Sequence, residues 1–257
     1  MTAAIKSRWR TWVWVIFAAG IIATSPAVAG PPFITDDPEP VDLGHWEVYG
    51  FTAATHVDGD TSGTLAGVEV NYGAAPNLQL HMIAPLSFDD PRDGPFQTGL
   101  GDVELGVKYR FIDPGKADWW PQVGIFPLLE VPTGGAGRGL GAGQTRGFVP
   151  IWMQKDFGKW TTYGGGGYWI NPGAGNQNYW FAGWLLQRQV TDKLAIGGEL
   201  FHQTADRIDG KDSSGFSIGA IYDFNEHYHL LLSAGRGIQN APTTNDLSYY
   251  LAIQHTF

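Results

Sequence analysis

The chain has 257 residues, no cysteine, 36 glycines, 11 Trp, 10 Tyr and 14 Phe, and only 16% of its residues are charged. A soluble domain would carry roughly a quarter charged residues, and the missing cysteines exclude disulfides, thiolate metal sites and cysteine nucleophiles. The formal charge of −9 argues against a nucleic-acid partner, which calls for clustered Lys and Arg.

The first elements in chain order are an export signal. Lys6, Arg8 and Arg10 precede an apolar run from Trp12 to Ala23, and Ala27 and Ala29 supply the small residues of a cleavage site. As a helix the 12-residue run spans about 18 Å, short of the roughly 30 Å of a bilayer core. Residues 1–29 are therefore read as a signal peptide, 30–44 as a periplasmic N-terminal segment and 45–257 as the folded body. Cleavage leaves 13 Lys and Arg against 25 Asp and Glu, an acidic chain of charge −12.

From residue 45 onward one pattern repeats. In Asp102–Phe111 one face reads Val103, Leu105, Val107, Tyr109, Phe111, and the other Asp102, Glu104, Gly106, Lys108, Arg110. A strand collects those charges on one side, whereas a helix would scatter them. The same alternation recurs in twelve segments: 45–56, 64–74, 77–87, 100–112, 119–131, 145–156, 159–169, 178–189, 193–204, 213–224, 227–237 and 246–257. Segments one, six and seven alternate less cleanly. The connections 57–63, 88–99, 132–144, 170–177, 205–212 and 238–245 are long and rich in Gly, Pro, Asp and Asn. Those between them are short. Long loops at one rim and short turns at the other predict an all-β, up-and-down, twelve-stranded antiparallel transmembrane β-barrel in the outer membrane, with both termini at the periplasmic rim.

The two faces agree with that reading. The apolar face carries aromatics at its ends (Tyr109, Phe111, Trp180, Trp184, Tyr222, Phe224, Tyr228), as interface girdles do. Charged groups on the lipid face would cost about 2–4 kcal/mol each at the midplane. Glu69, His81, Asp102, Glu104, Lys108, Arg110, Glu130, Glu199 and Asp223 are therefore expected to line the lumen, either as a selectivity lining or as a bracing network. Glu104 lies about 14 Å from Lys108 along one strand, so the partners of Lys108 and Arg110 are expected elsewhere, with Glu69 and Glu130 as candidates.

The stretch Pro31-Pro32-Phe33-Ile34-Thr35-Asp36-Asp37-Pro38-Glu39-Pro40, continuing to Gly44-His45-Trp46-Glu47-Val48-Tyr49-Gly50-Phe51, resembles the opening of the outer-membrane transporter family named after the meta-pathway of phenol degradation. Gly101–Phe111 and Glu130-Val131-Pro132-Thr133-Gly134 are similar to that family as well. The resemblance covers the mature chain and implies a barrel that moves small organic compounds, with no catalytic residues to carry over. Phe257 resembles the terminal aromatic sorting signal read by the barrel-insertion machinery.

Other motifs carry less. Gly215-Phe216-Ser217-Ile218-Gly219 matches the serine-hydrolase pattern but lies in an alternating strand, without the strand-to-helix turn that exposes the serine. The glycines of 134–143 lack the spacing and lysine of a phosphate loop. His227 and His229 have a metal-compatible spacing but no fixed third ligand, and the acids at 58–60 and 89–93 read as solvated loop charge. The expectation is a channel for passive uptake of small organic, aromatic or apolar molecules, with no catalytic residues, metal or cofactor. Its partners would be outer-membrane lipid, lipopolysaccharide, the insertion machinery and the solute. The rival readings are a structural or surface-interaction barrel with a blocked lumen and, third, a lipid-modifying barrel enzyme.

Overall fold

The computed structural model describes residues 31–115 and 119–257. The expected signal peptide, 1–29, lies outside them. The strands in chain order are β1 (Trp46–Val57), β2 (Asp60–Ala75), β3 (Leu78–Asp90), β4 (Gln97–Leu100), β5 (Val103–Ile112), β6 (Gln122–Ile125) and β7 (Leu128–Val131). They continue as β8 (Arg146–Phe157), β9 (Trp160–Ile170), β10 (Tyr179–Thr191), β11 (Leu194–Gln203), β12 (Ser213–Asp223), β13 (Tyr228–Gln239) and β14 (Leu247–Thr256).

Every strand pairs antiparallel with its neighbours, and β1 pairs β14 from Glu47↔Thr256 to His56↔Leu247, which closes the sheet on itself. The β4–β5 pair forms one wall strand beside β3, and the β6–β7 pair forms another between β5 and β8, so the wall is a closed barrel of 12 strands. Closure leaves no edge of unpaired backbone groups, as a lipid environment demands.

Prolines explain the break between β6 and β7. Pro127 has no N–H to return to Val107, and Pro150 has none to return to Phe126. Each site keeps one bond only, Val107 N to Pro127 O (3.2 Å) and Phe126 N to Pro150 O (3.5 Å).

The alternation fixes which side faces lipid. Leu80, Met82, Leu105, Ile151, Trp184 and Ile218 are all more than 40% exposed on the outer surface. Their strand neighbours Gln79, His81, Trp152, Leu185 and Ser217 are buried. A continuous apolar outer surface of this kind belongs in hydrocarbon. Trp46 stacks on Tyr72 (4.3 Å) and Tyr228 on His255 (4.6 Å) near the short-turn rim.

The loop asymmetry holds at most connections, with one correction. The segment 57–63, expected as a long loop, is a two-residue turn, Asp58–Gly59, between β1 and β2. Both residues have positive φ (49° and 91°), the type I′ geometry that Asp-Gly favours and that matches strand twist. The 132–144 loop contains a short 3-10 turn at Ala136–Arg138, and the 238–245 loop contains a four-residue helix, α1 (Ala241–Thr244).

Candidate functional site in the lumen

Residues 31–42 do not lie beyond the rim, as a periplasmic segment would. They run back from β1 into the lumen, where Thr35 and Asp37 are fully buried. The reason is the inward charge of the wall. Lys108 Nζ is 2.9 Å from Asp36 Oδ1 and 3.5 Å from Asp37 Oδ2. Arg110 is 3.7 Å from Glu39, and Gln154 Nε2 donates to Glu39 Oε2 at 2.9 Å. Glu199 Oε1 accepts the Ile34 N–H at 3.1 Å, and Oε2 accepts the Thr35 N–H at 2.8 Å. Ser217 Oγ donates to Glu199 Oε1 at 2.6 Å, so this buried carboxylate is saturated with donors. Ser233 Oγ donates to Pro32 O at 2.6 Å, and Gln79 Oε1 accepts the Val41 N–H at 2.9 Å. Burial pushes the Asp37 carboxyl well above its ordinary range, against the pull of Lys108.

The wall is shaped to receive the segment. Gly197 of β11 pairs Gly219 of β12, which pairs Ser233 of β13, forming one row across three strands. A Cβ on Gly219 would lie 2.8 Å from the Phe33 ring, and one on Gly197 3.1 Å from it. On β10, a Cβ at Gly183 would lie 2.1 Å from Thr35 Oγ1. These glycines make a floor that any side chain would fill.

Residues 32–35 lie against β10–β13, and residues 36–41 cross the lumen to Lys108 and Arg110 of β5, Gln154 of β8 and Gln79 of β3. Beside the segment lies a cavity of about 610 Å³, bordered mainly by β1–β3 and β5–β7, that reaches the short-turn rim at Asp192, Lys193, Asn225, Glu226 and Phe257. Its inner end lies at Glu69, Ile83, Glu104 and Leu128. That volume falls within the roughly 300–1,000 Å³ of small-molecule sites. Nine acidic side chains and two lysines border it.

No family model matches the chain, and no curated protein matches it in sequence. Among solved structures it is similar to the KdgM porin, with a TM-score of 0.57 at 8% identity over 82% of this chain and 99% of that one. It is also similar to the NanC porin, with a TM-score of 0.54 at 12% identity over 82% and 98%. A KdgM porin in complex with disordered oligogalacturonate gives 0.55 at 8% identity over 83% and 99%. The fold is the closed outer-membrane β-barrel of these neighbours.

Of the nine expected lumen residues, Glu69, His81, Glu104, Lys108 and Asp223 border the cavity of this barrel. His81 joins two of the others: its Nε2 is 2.9 Å from Glu104 Oε1, its Nδ1 is 3.7 Å from Glu69, and Nδ1 also bonds Asn71 Oδ1 at 2.7 Å. Asp223 Oδ1 is 2.6 Å from His229 Nδ1.

The other four do different work. Asp102 sits where β4 passes into β5 and accepts the Gly134 N–H at 2.9 Å and the Ala142 N–H at 2.7 Å, which pins the glycine-rich outer loop. Glu130 pairs with Arg146 of the facing strand (Nε to Oε2, 2.6 Å), and Glu199 holds the N-terminal segment. Arg110 lies near the short-turn rim with Asp113, Gln122 and Asn77. The expectation that Glu69 and Glu130 pair with Lys108 and Arg110 is corrected: Asp36 and Asp37 reach Lys108 from inside the lumen, and Arg110 lies 2.9 Å from Asp113 and 3.7 Å from Glu39.

The remaining motifs resolve similarly. Ser217 bonds a carboxylate, Glu199, and no imidazole. His229 is buried against Asp223, whereas His227 is exposed in the turn before β13 and bonds the Thr256 carbonyl. Among the described residues no group of three or more His, Asp or Glu is placed to hold a metal.

Sequence reasoning missed the apolar share of the interior. Phe126, Phe148, Trp152 and Phe181 pack into one buried cluster, and Tyr49, Ala195, Ile221, Leu231 and Ala252 into another. The weaker alternation of segments one and six is their trace: Tyr49 and Trp152 face inward from strands whose outer face is apolar too.

Proposed function

We propose that this protein is an outer-membrane channel for small organic solutes that are neutral or positively charged. It would sit among outer-membrane lipid and lipopolysaccharide, and its substrates belong to the class expected of the phenol meta-pathway transporter family. The observation that carries this reading is the cavity between the N-terminal segment and the β1–β7 wall. It opens at one rim, and its border sets nine acids against two lysines, one of them already paired with Asp36. Such a lining attracts cations and repels anions at close range. It suits a polyanion poorly, in contrast to the neighbouring porin that is complexed with oligogalacturonate. Phe126, Leu128 and Tyr49 give the same cavity apolar wall against which a ring can lie.

The test is planar-bilayer conductance of the refolded protein under a salt gradient. Discrete steps with a cation-selective reversal potential are expected, and anion selectivity would reject the solute class. Silence would favour the second reading, a structural barrel. One observation speaks for it: the segment occupies part of the lumen, and Phe148, Trp152 and Phe181 pack into a buried cluster inside the barrel.

A further inference from the structure

We propose that the inner face of β10–β13 is a docking cleft for the chain's own residues 31–38, and that release of this segment widens the lumen. The inference rests on the channel reading and adds a moving part to it.

Three observations support it. First, the cleft is complementary to its occupant at several independent points. Gly197 and Gly219 leave the space that Phe33 fills, Gly183 leaves the space that Thr35 fills, and Glu199 takes two successive backbone N–H groups. Second, the segment is attached differently from the wall. Among the described residues no backbone-to-backbone hydrogen bond joins 31–41 to a strand. Its hold comes through wall side chains, namely Glu199, Ser233, Lys108, Gln154 and Gln79. It can therefore leave without opening a single rung of the barrel, whose own ladder is continuous through β1–β14. Third, the open cavity runs along the segment, so that Phe33 borders both the cleft and solute space, and Asp36 and Glu39 border solute space beside it. Withdrawal joins the volume they occupy to the existing cavity.

The hinge follows from the same contacts. Gly44 N donates to Gly73 O at 2.7 Å, and beyond it β1 is locked between β2 and β14. Motion is confined to the residues before Gly44, which has a positive φ of 81°.

The experiment uses the absence of native cysteine. In the double variant Thr35→Cys with Gly183→Cys, an ideal Cβ at 183 lies 3.0 Å from Thr35 Cβ, close to the roughly 3.5–4.5 Å that a disulfide spans. Folding is checked by heat-modifiable migration. Single-channel conductance is then compared for wild type, the oxidised and reduced double variant, Glu199→Gln, and a chain lacking residues 31–42. The oxidised form is expected to conduct least. Reduction and Glu199→Gln should each raise the conductance or the open fraction several-fold, towards that of the deletion. Equal conductance in oxidised, reduced and wild-type protein would overturn the moving segment and leave the channel standing. Conductance in the deletion alone would make the segment a fixed stopper and overturn release. Silence in every form, the deletion included, would reject the channel and the cleft's role with it.

Discussion

Lys108 and Asp36 are 72 positions apart in sequence and 2.9 Å apart in space, and this pair ties the wall of the barrel to the segment inside it. Lys108 itself is only 4% exposed. A cation so placed is costly unless it is paired, so the lysine recruits its partners from whatever can reach the lumen. Among the described residues, the carboxylates within 4 Å of its Nζ are Asp36 and Asp37, both in the N-terminal segment.

Lys108→Met should therefore loosen the segment more than the barrel. Removing one partner of a buried ion pair costs about 3–5 kcal/mol, and here that cost falls on docking. Limited proteolysis is expected to cut before Gly44 in the variant while the folded band on an unheated gel persists. A lower unfolding temperature with the segment still protected would place the lysine in the wall's own bracing instead.

The two aspartates should respond differently to neutralisation. Asp36 makes the shorter bond to Lys108, while Asp37 is fully buried with its carboxyl pushed up by burial. An amide resembles the protonated form that burial favours at Asp37. Asp37→Asn should leave the open fraction within about twofold of wild type, whereas Asp36→Asn should raise it. The reverse order in bilayer recordings would refute the assignment.

Topology can be read by labelling single cysteines on intact cells. Gly137 lies in the long-loop rim and Gly115 in the short-turn rim, and a Cβ added at either position would meet no other atom within 4 Å. A membrane-impermeant maleimide should reach Gly137→Cys and not Gly115→Cys. Labelling at residue 115 alone would invert the barrel.

Phe257 closes the seam by exchanging two backbone bonds with Trp46: Trp46 N to Phe257 O at 2.8 Å and Phe257 N to Trp46 O at 3.0 Å. It also carries the terminal ring that resembles the insertion signal. Deleting it should lower the folded, heat-modifiable fraction in the outer membrane, which gel densitometry would show. An unchanged folded yield would remove the assembly role.

The fold was legible in sequence because lipid and lumen impose opposite demands on alternate residues, and a period of two survives in almost every strand. Asp102–Phe111 shows it plainly. The cleanest failure inside the barrel is Trp152 between Ile151 and Met153: when the lumen itself contains an apolar core, both faces look alike and the period fades. The segment 31–42 was opaque for another reason. Its prolines at 31, 32, 38 and 40 exclude any regular period, and its destination is set by Lys108, Glu199 and Ser233, which no local pattern can reveal. One sign was available. Lys108 had no partner within reach on its own strand, and Asp36-Asp37-Pro38-Glu39 is the densest run of acids in the chain.

The β1–β14 seam also sets an order of events. It joins residues about two hundred positions apart, such as Glu47 and Thr256, and the bonds from Glu199 to Thr35 and from Ser233 to Pro32 span 164 and 201 positions. Contacts that distant pay their loop-closure entropy before any reward arrives and form slowly. The hairpins from β2 through β13 can zip first, leaving Glu199 and Lys108 facing an unfinished trough. The N-terminal segment, being continuous with the strand that makes the final joint, is laid into that trough as the cylinder shuts.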